Sequence, residues 1–217
     1  AGLIYDCFID ALHTCPRFRL PDKWQRYMGL DFGGVNTAAV FYAEEPGTHK
    51  LYLYRAYKAG SRTAAEHTSE LLRGEPMIPY TVGGSKSEDQ WRSEFKAAGL
   101  PVHAPEIKDV EVGIDRVYEA HRLNEIIVFD DLKGYLDEKH TYARKLDSSG
   151  EPTEDIEDKE IFHYMDAERY IVSFLKRKGM RATTRKIDFW EPRKAQVKAP
   201  APARTPQEIE ELLRGAQ

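Results

Sequence analysis

The chain has 217 residues, of which 41% are hydrophobic and 31% charged, with a formal net charge of -4. This composition is normal for a soluble globular protein and leaves room for one large domain, or one domain with tails. The net charge gives no general sign of a nucleic-acid binder. No apolar run approaches the ~20 residues of a membrane-spanning helix, and the N-terminus lacks the pattern of a signal peptide.

Cys7 and Cys15 are the two cysteines, and they do not form a C-x-x-C pattern. A zinc centre or a redox dithiol is therefore not expected, and a reducing compartment fits best. Because the chain begins at alanine, we expect it to be an excised piece of a longer protein.

The first half of the chain predicts a β-meander. Residues 1–24 show only a short apolar patch and two prolines, so we interpret residues 1–26 as a lead-in that wraps a domain, or as the end of an upstream linker. Strands are then predicted at 27–32, 37–43 and 51–57. Tight turns join these strands, so they should pair antiparallel.

The following segments alternate between helices and strands. Helices are predicted at 63–73, 87–98, 110–123, 132–145 and 161–178, strands at 77–82, 102–104 and 125–129, and a polar loop at 147–159. This order predicts a mixed α/β sheet. Right-handed crossovers would place the strand at 77–82 parallel to and beside the strand at 27–32. The carboxyl ends of these two strands would then meet, which is where open α/β sheets place their sites.

The C-terminal part changes in composition. Beyond Gly179 the chain is basic, and from Lys198 to Pro206 it is rich in proline and alanine, which predicts a flexible linker. A short capped helix is predicted at 207–214. The main domain is therefore predicted at 27–179 and a tail at 180–217.

Asp31 lies inside an apolar strand that ends at the turn Gly33-Gly34. A buried acid is costly unless it has a partner or a function, and the glycines keep the space beside it free of side chains. Asp31 is therefore either the first ligand of an acidic metal site or a hairpin aspartate that binds its own turn.

Two further segments carry acids near the same expected edge. Glu88 and Asp89 follow the strand at 77–82, and Asp166 lies in the first turns of the last helix. Carboxylates from several segments suit Mg²⁺, and two ions about 4 Å apart could activate a water and stabilise the leaving oxygen of a phosphodiester. The run Ser87-Glu88-Asp89-Gln90 also has the form of a capping box, which would make its acids structural.

The remaining candidates have stronger structural interpretations. His163 lies one helical turn before Asp166 and could support it, whereas Glu168 points away because neighbours two apart on a helix do not share a face. Asp130 and Asp131 end a strand, and a cap for the next helix is the favoured interpretation. No phosphate-binding loop and no Ser-His-Asp or Cys-His arrangement is found in the sequence.

Three motifs resemble one family. The runs Gly29-Leu30-Asp31-Phe32-Gly33-Gly34, Gly83-Gly84-Ser85-Lys86-Ser87-Glu88 and His163-Tyr164-Met165-Asp166-Ala167-Glu168-Arg169-Tyr170 resemble the C-terminal nuclease domain of tailed-phage large terminases. The resemblance covers roughly residues 29–175. It implies a ribonuclease H-like fold, in which three antiparallel strands and then parallel strands form a mixed sheet with helices on both faces. It also implies an endonuclease that depends on Mg²⁺ or Mn²⁺, with two ions, and cuts concatemeric viral DNA during genome packaging.

The resemblance assigns the site residue by residue. Asp31 matches the first metal-binding acid and Asp166 the last. Many relatives carry an aspartate where this chain has Val82-Gly83-Gly84, so Glu88 is the best substitute, with Asp89 and Asp130 as fallbacks. Basic residues are expected to hold the DNA backbone without reading its sequence; the candidates are Lys86, Arg92, Arg181, Arg185 and Lys186.

The resemblance also implies double-stranded DNA as substrate, an upstream ATPase domain in the same polypeptide, and action in the host cytoplasm as part of a packaging motor, away from membranes and absent from the mature virion. The portal and the small terminase subunit are further candidate partners.

Three alternatives stay open. The run 31–37 also resembles the first phosphate motif of actin-like sugar kinases. The missing strand-end aspartate would suit an inactive module that docks on DNA or on the portal. A Holliday-junction resolvase, which is a related nuclease, is the third alternative.

Overall fold

The computed structural model describes residues 2–33, 35–85, 87–107 and 109–177. The predicted proline-rich linker and terminal helix lie outside these ranges. The strands are β1 (Thr14–Cys15), β2 (Gln25–Asp31), β3 (Thr37–Glu44), β4 (Leu51–Ala59), β5 (Tyr80–Gly83), β6 (Val102–His103), β7 (Ile126–Phe129), β8 (Arg144–Leu146) and β9 (Pro152–Ile156). The helices are α1 (Asp10–His13), α2 (Ala64–Leu72), α3 (Asp89–Ala97), α4 (Val110–Arg122), α5 (Lys133–Thr141) and α6 (His163–Arg177).

A seven-stranded mixed sheet has the strand order β1-β7-β4-β3-β2-β5-β6. Strands β2, β3 and β4 form the predicted antiparallel meander. Strand β5 lies parallel to and beside β2, as predicted, and β7 lies parallel to β4. Strands β2, β4, β5 and β7 therefore all end on one side of the sheet, which we call the carboxyl edge.

The sheet separates two cores. Strand β3 is central, and residues 37–43 are buried on both of its faces. Helices α4, α5 and α6 cover one face, where α6 packs on β2 and β3. Helices α2 and α3 pack on the opposite face against Met28, Leu30 and Phe32. None of the helices in the described part of the chain has the length and apolarity needed to cross a membrane.

The N-terminal residues contribute to both the core and the sheet. Ile4, Tyr5 and Phe8 are buried, and β1 pairs in parallel with β7. The sequence shows no periodic element there because β1 has two residues and α1 has four. Cys7 and Cys15 are free thiols.

The predictions for residues 132–159 were wrong in part. Helix α5 ends at Thr141, and the predicted polar loop contains most of an antiparallel hairpin, β8–β9. In these two strands Ile156 is the buried residue and the others are partly or fully exposed. A strand pair with so few core contacts carries no alternating hydrophobic pattern, so periodicity does not predict strands here.

Candidate active site

Gly29 brings helix α6 directly onto strand β2. A Cβ atom added at Gly29 would lie 2.0 Å from the carbonyl oxygen of Ala167. Only glycine permits such a close approach of two backbones. Since Ala167 follows Asp166 in α6 and Gly29 precedes Asp31 in β2, this contact brings acids from two distant segments to the carboxyl edge.

Asp31 is hydrogen-bonded to α6 rather than to its own turn. Its Oδ2 lies 3.0 Å from Nδ1 of His163, the residue that helical spacing predicts beside Asp166. Burial raises the pKa of Asp31; the His163 hydrogen bond lowers it, and the Asp166 and Glu88 carboxylates raise it further. Asp31 is therefore a partly buried acid with two like-charged neighbours from other segments.

Asp166 has a basic partner that the sequence analysis missed. Its Oδ1 accepts a hydrogen bond from Nη2 of Arg169 at 2.6 Å. Arg169 is buried, and although burial acts to lower its pKa, the Asp166 carboxylate raises that pKa overall. The spacing of three residues on a helix was the signal that could have identified this pair.

Glu88 lies at the turn between β5 and α3. Gly84 has a left-handed φ of 71°, and the backbone N–H of Ser85 donates to Oε2 of Glu88. The predicted capping box is wrong, because Glu88 is itself the N-cap residue of α3 and makes no side-chain capping bond. Its carboxylate turns back toward the end of β5.

Arg92 is held inside the same turn. Its Nη1 donates to the carbonyl oxygens of Gly83 and Ser85, both at 2.9 Å, and its Nη2 pairs with Asp89 at 2.7 Å. Arg92 is buried, whereas the Asp89 side chain is 86% exposed. Arg92 therefore stabilises the turn between β5 and α3, and its contact with DNA stays a prediction.

The three acids reach the carboxyl edge from three segments, since Asp31 ends β2, Glu88 follows β5 beside β2, and Asp166 lies one turn beyond His163, which bonds Asp31. Tyr170 lies one turn beyond Asp166. Burial raises the pKa of its phenol, and the carboxylates of Asp166, Asp31 and Glu88 all raise it further. Each acid uses one oxygen for its protein partner, namely Oδ2 of Asp31, Oδ1 of Asp166 and Oε2 of Glu88. As they stand, no three His, Cys, Asp or Glu side chains of the described residues are grouped closely enough to hold a metal ion.

Solved structures of one kind share this architecture. The P22 large terminase nuclease domain matches with a TM-score of 0.63 and 20% identity, over 82% of this chain and 93% of that chain. The large terminase of the thermophilic bacteriophage D6E matches with a TM-score of 0.66 and 22% identity, over 81% of this chain. The large terminase nuclease domain of bacteriophage SPP1 with bound Mn matches with a TM-score of 0.55 and 18% identity, over 71% of this chain and 86% of that chain.

This chain has the fold of a large terminase nuclease domain. The predicted ribonuclease H-like fold is thereby confirmed. The chain spans 45% of the D6E chain that it matches. No protein-family model and no curated protein matches the sequence.

Within this terminase nuclease fold, the fallback ligand Asp130 lies far from Asp31. It follows β7, and β4 and β3 stand between β7 and β2. Three interstrand spacings amount to about 14 Å. The predicted cap was also wrong, because helix α5 has Leu132 at its N-cap position without a side-chain capping bond, and Asp131 instead pairs with Arg17.

The other predicted DNA contacts cannot be placed in this fold. Lys86, Arg181, Arg185 and Lys186 lie outside the described residues. Other cations near the carboxyl edge are described. Lys58 is partly exposed near the end of β4, and Arg62 is exposed just beyond it.

Glu168 points away from the edge, as the helix geometry predicted. It is fully buried and accepts hydrogen bonds from Lys139 Nζ, Tyr135 OH and Tyr42 OH. Burial acts to raise its pKa, but Lys139 and His121 lower it to about 2. This acid is therefore part of the core of the terminase nuclease fold and not of the carboxyl edge.

Proposed function

We propose that the protein is a metal-dependent DNA endonuclease that cuts concatemeric viral DNA in a tailed-phage packaging motor. The observation that carries the proposal is the arrangement of three acids at the carboxyl edge, where Asp31 ends β2, Glu88 follows the neighbouring strand β5, and His163 joins Asp31 to the helix that carries Asp166, within a fold shared with large terminase nuclease domains. Each acid comes from a different segment of the chain, so their proximity is a product of the fold and not of sequence.

The donor chemistry of this edge suits divalent cations. Carboxylate oxygens are the ligands that Mg²⁺ and Mn²⁺ prefer. Carboxylates repel one another, which is why the neighbouring acids raise the pKa of Asp31. A cation bound between the carboxylates would offset this repulsion. The SPP1 domain binds Mn, and we propose Mg²⁺ or Mn²⁺ here, as two ions.

In the proposed reaction, Asp31, Glu88 and Asp166 would hold the ions through the oxygens that their protein partners leave free. His163 orients Asp31, and Arg169 orients Asp166. The ions, when bound, would activate a water for attack on phosphorus and stabilise the departing 3′ oxygen. Contacts to the phosphate backbone carry no sequence information, so cutting should be weakly specific.

We further propose the setting in which this domain acts. An ATPase domain would precede residues 27–179 in the same polypeptide, and the basic tail at 180–217 would follow. Double-stranded DNA would be the substrate, with the portal and small terminase subunit as further partners, in the host cytoplasm.

Plasmid cleavage with Mg²⁺, Mn²⁺ or EDTA tests the proposal. We expect cutting only with metal, and its loss in Asp31→Asn, Asp166→Asn and Glu88→Gln, because each change removes a charged ligand. Asp166→Asn is preferable to alanine because it leaves the buried Arg169 an acceptor. Asp89→Asn is the matched control for Glu88, since Asp89 is its exposed neighbour. Cutting in EDTA, or full activity of Asp31→Asn, would contradict the proposal.

Other outcomes would favour the alternatives. Normal cutting by Glu88→Gln with loss of cutting by Asp89→Asn would move the middle ligand to Asp89. Nucleotide-dependent phosphorylation of a sugar would indicate the kinase alternative, and a strong preference for four-way junctions a resolvase. DNA binding without metal binding would indicate a docking module.

A further inference from the structure

We infer that Glu138 and Lys58 are positioning residues of the proposed metal site, which fix the first turn of α6 and thereby the placement of His163 and Asp166. The inference rests on the proposed function. In the described part of the chain, Glu138 and Lys58 form their hydrogen bonds and ion pair with groups other than the three acids, so the effect would be transmitted through the backbone of α6.

Glu138 supplies an acceptor to the start of α6 from a different helix. Its Oε2 accepts the backbone N–H of Tyr164 at 2.8 Å, in a buried contact. The first N–H groups of a helix have no intrahelical acceptor, and a negative charge there is further stabilised by the helix dipole. Tyr164 directly follows His163, so this bond anchors the backbone that carries both site residues.

Lys58 ties the same turn to the sheet. Its Nζ donates to Oε1 of Glu138 and to the carbonyl oxygen of Ile161, each at 3.2 Å. Asp31 lies opposite Ala38, and Ala38 lies opposite Lys58. Lys58 therefore stands level with Asp31, two strands away, so the start of α6 is fixed to the same part of the sheet that presents Asp31.

Glu138 is not itself a candidate ligand. One of its carboxylate oxygens bonds Lys58 and the other bonds the Tyr164 amide. The acids of the site, by contrast, each use one oxygen for a protein partner. The Glu138 carboxylate therefore stabilises the first turn of α6. The distance of 3.0 Å between His163 Nδ1 and Asp31 Oδ2 depends on where that turn lies.

The chain offers a matched control at the other end of the same helix. Lys176 in α6 pairs with Glu125 at 2.9 Å, with side chains 12% and 10% exposed. The Glu138 side chain is 11% exposed and that of Lys58 is 30% exposed. Both pairs join α6 to its surroundings, but the Glu125 pair lies far along the helix from His163 and Asp166.

The test is direct Mn²⁺ binding to metal-free protein, measured as free Mn²⁺ by electron paramagnetic resonance. We expect Glu138→Gln to bind Mn²⁺ about tenfold more weakly than wild type, as is typical when a group supporting a ligand is changed. Lys58→Met should shift binding in the same direction. Glu125→Gln changes a pair of similar burial, so it should lower the melting temperature about as much as Glu138→Gln does. It should leave the Mn²⁺ affinity unchanged.

Near-ultraviolet circular dichroism checks that each variant is folded. If Glu138→Gln does not fold, Lys58→Met decides, because this more exposed side chain can be replaced at lower cost. Equal Mn²⁺ affinity in wild type and the folded variants would overturn the inference and leave the proposed function intact. Absence of Mn²⁺ binding by wild type would overturn the proposed function, and this inference with it.

Discussion

Asp166 and Glu168 are two residues apart on α6 and have opposite surroundings. The Asp166 side chain is 21% exposed, pairs with Arg169, and lies near the like-charged Asp31 and Glu88. The Glu168 side chain is 0% exposed and accepts hydrogen bonds from an ammonium and two phenols. One helix therefore presents one acid to the carboxyl edge and the other to the core.

The difference separates a structural acid from a candidate ligand. Taking a carboxylate out of water costs several kcal/mol, which only close partners offset. Glu168 has those partners within the protein. Asp166 keeps an oxygen outside its bond to Arg169 and has acids beside it, an arrangement that suits the cation proposed above.

The largest expected effect comes from removing the buried acid. Glu168→Ala leaves Lys139 buried without its carboxylate partner and takes an acceptor from Tyr42 and Tyr135. Breaking a buried ion pair in this way costs about 3–5 kcal/mol. Urea unfolding followed by circular dichroism measures this loss in the free energy of unfolding.

Asp166→Asn is the matched variant. It keeps an oxygen for Arg169 and removes charge from an acidic neighbourhood, so we expect a change in the free energy of unfolding within about 1 kcal/mol and loss of cleavage. Similar destabilisation in the two variants would contradict the separation between a structural acid and a candidate ligand.

The sequence predicted the positions of the strand ends well. Apolar runs and tight turns identified the meander, and the right-handed crossover placed β5 beside β2, as the structure confirms. Asp31 and Glu88 follow from these strand ends and Asp166 from the first turns of the last helix, and their role as ligands stays a prediction. The assignment of Asp166 over Glu168 needed only helical periodicity.

The long-range partners of Glu168 and Asp31 could not be predicted from local patterns. Glu168 meets Lys139 of α5 and Tyr42 of β3, segments that no spacing rule connects. The bond between His163 and Asp31 depends on how closely α6 approaches β2 at Gly29, which is a tertiary packing distance. Local spacing instead suggested Asp166 as the partner of His163.

A methyl group at Gly29 should displace α6, and with it both Asp166 at the carboxyl edge and Glu168 in the core. In Gly29→Ala the new Cβ would collide with the Ala167 carbonyl oxygen, so α6 must move away from β2. Overpacking of this kind costs about 1–3 kcal/mol. We expect a lower melting temperature and a loss of cleavage together.

Gly134→Ala provides the control, since its Cβ would lie 3.6 Å from the Tyr164 ring, an ordinary contact. Alanine in place of glycine within helix α5 should be neutral or should stabilise the protein by about 0.5–1 kcal/mol. Unchanged stability and cleavage in Gly29→Ala would show that the close approach is not needed.

Acid should weaken the core cluster through His121. Burial lowers the pKa of His121 from 6.5 to about 4, with a further contribution from Lys139. The unfolded chain therefore takes up a proton near pH 6.5 that the folded protein accepts only near pH 4. The free energy of unfolding should fall as the pH is lowered across this window, by at most about 1.4 kcal/mol per pH unit for this proton.

Urea unfolding of wild type and His121→Phe between pH 7 and 4 measures that slope. The variant should show a smaller slope, with the remainder coming in part from His13 and His67, whose pKa values burial also lowers. Identical slopes would show that His121 is protonated equally in the folded and unfolded states.

The smallest expected effect comes from an exposed ion pair at the same edge of the sheet. Arg17 and Asp131 pair at 2.5 Å, with side chains 45% and 49% exposed. Exposed pairs contribute about 0–1 kcal/mol, and salt screens them. Asp131→Asn should therefore change the free energy of unfolding by less than about 1 kcal/mol, and by less still in 1 M salt. Cleavage should be unaffected, because Asp131 follows β7, and β4 and β3 lie between β7 and the strand that carries Asp31. The loss in Glu168→Ala should persist in 1 M salt because water and ions do not reach that pair. If Asp131→Asn abolished cleavage, the site would have to extend along the carboxyl edge to β7. The difference between Asp166 and Glu168 on α6 would then no longer be enough to define the site.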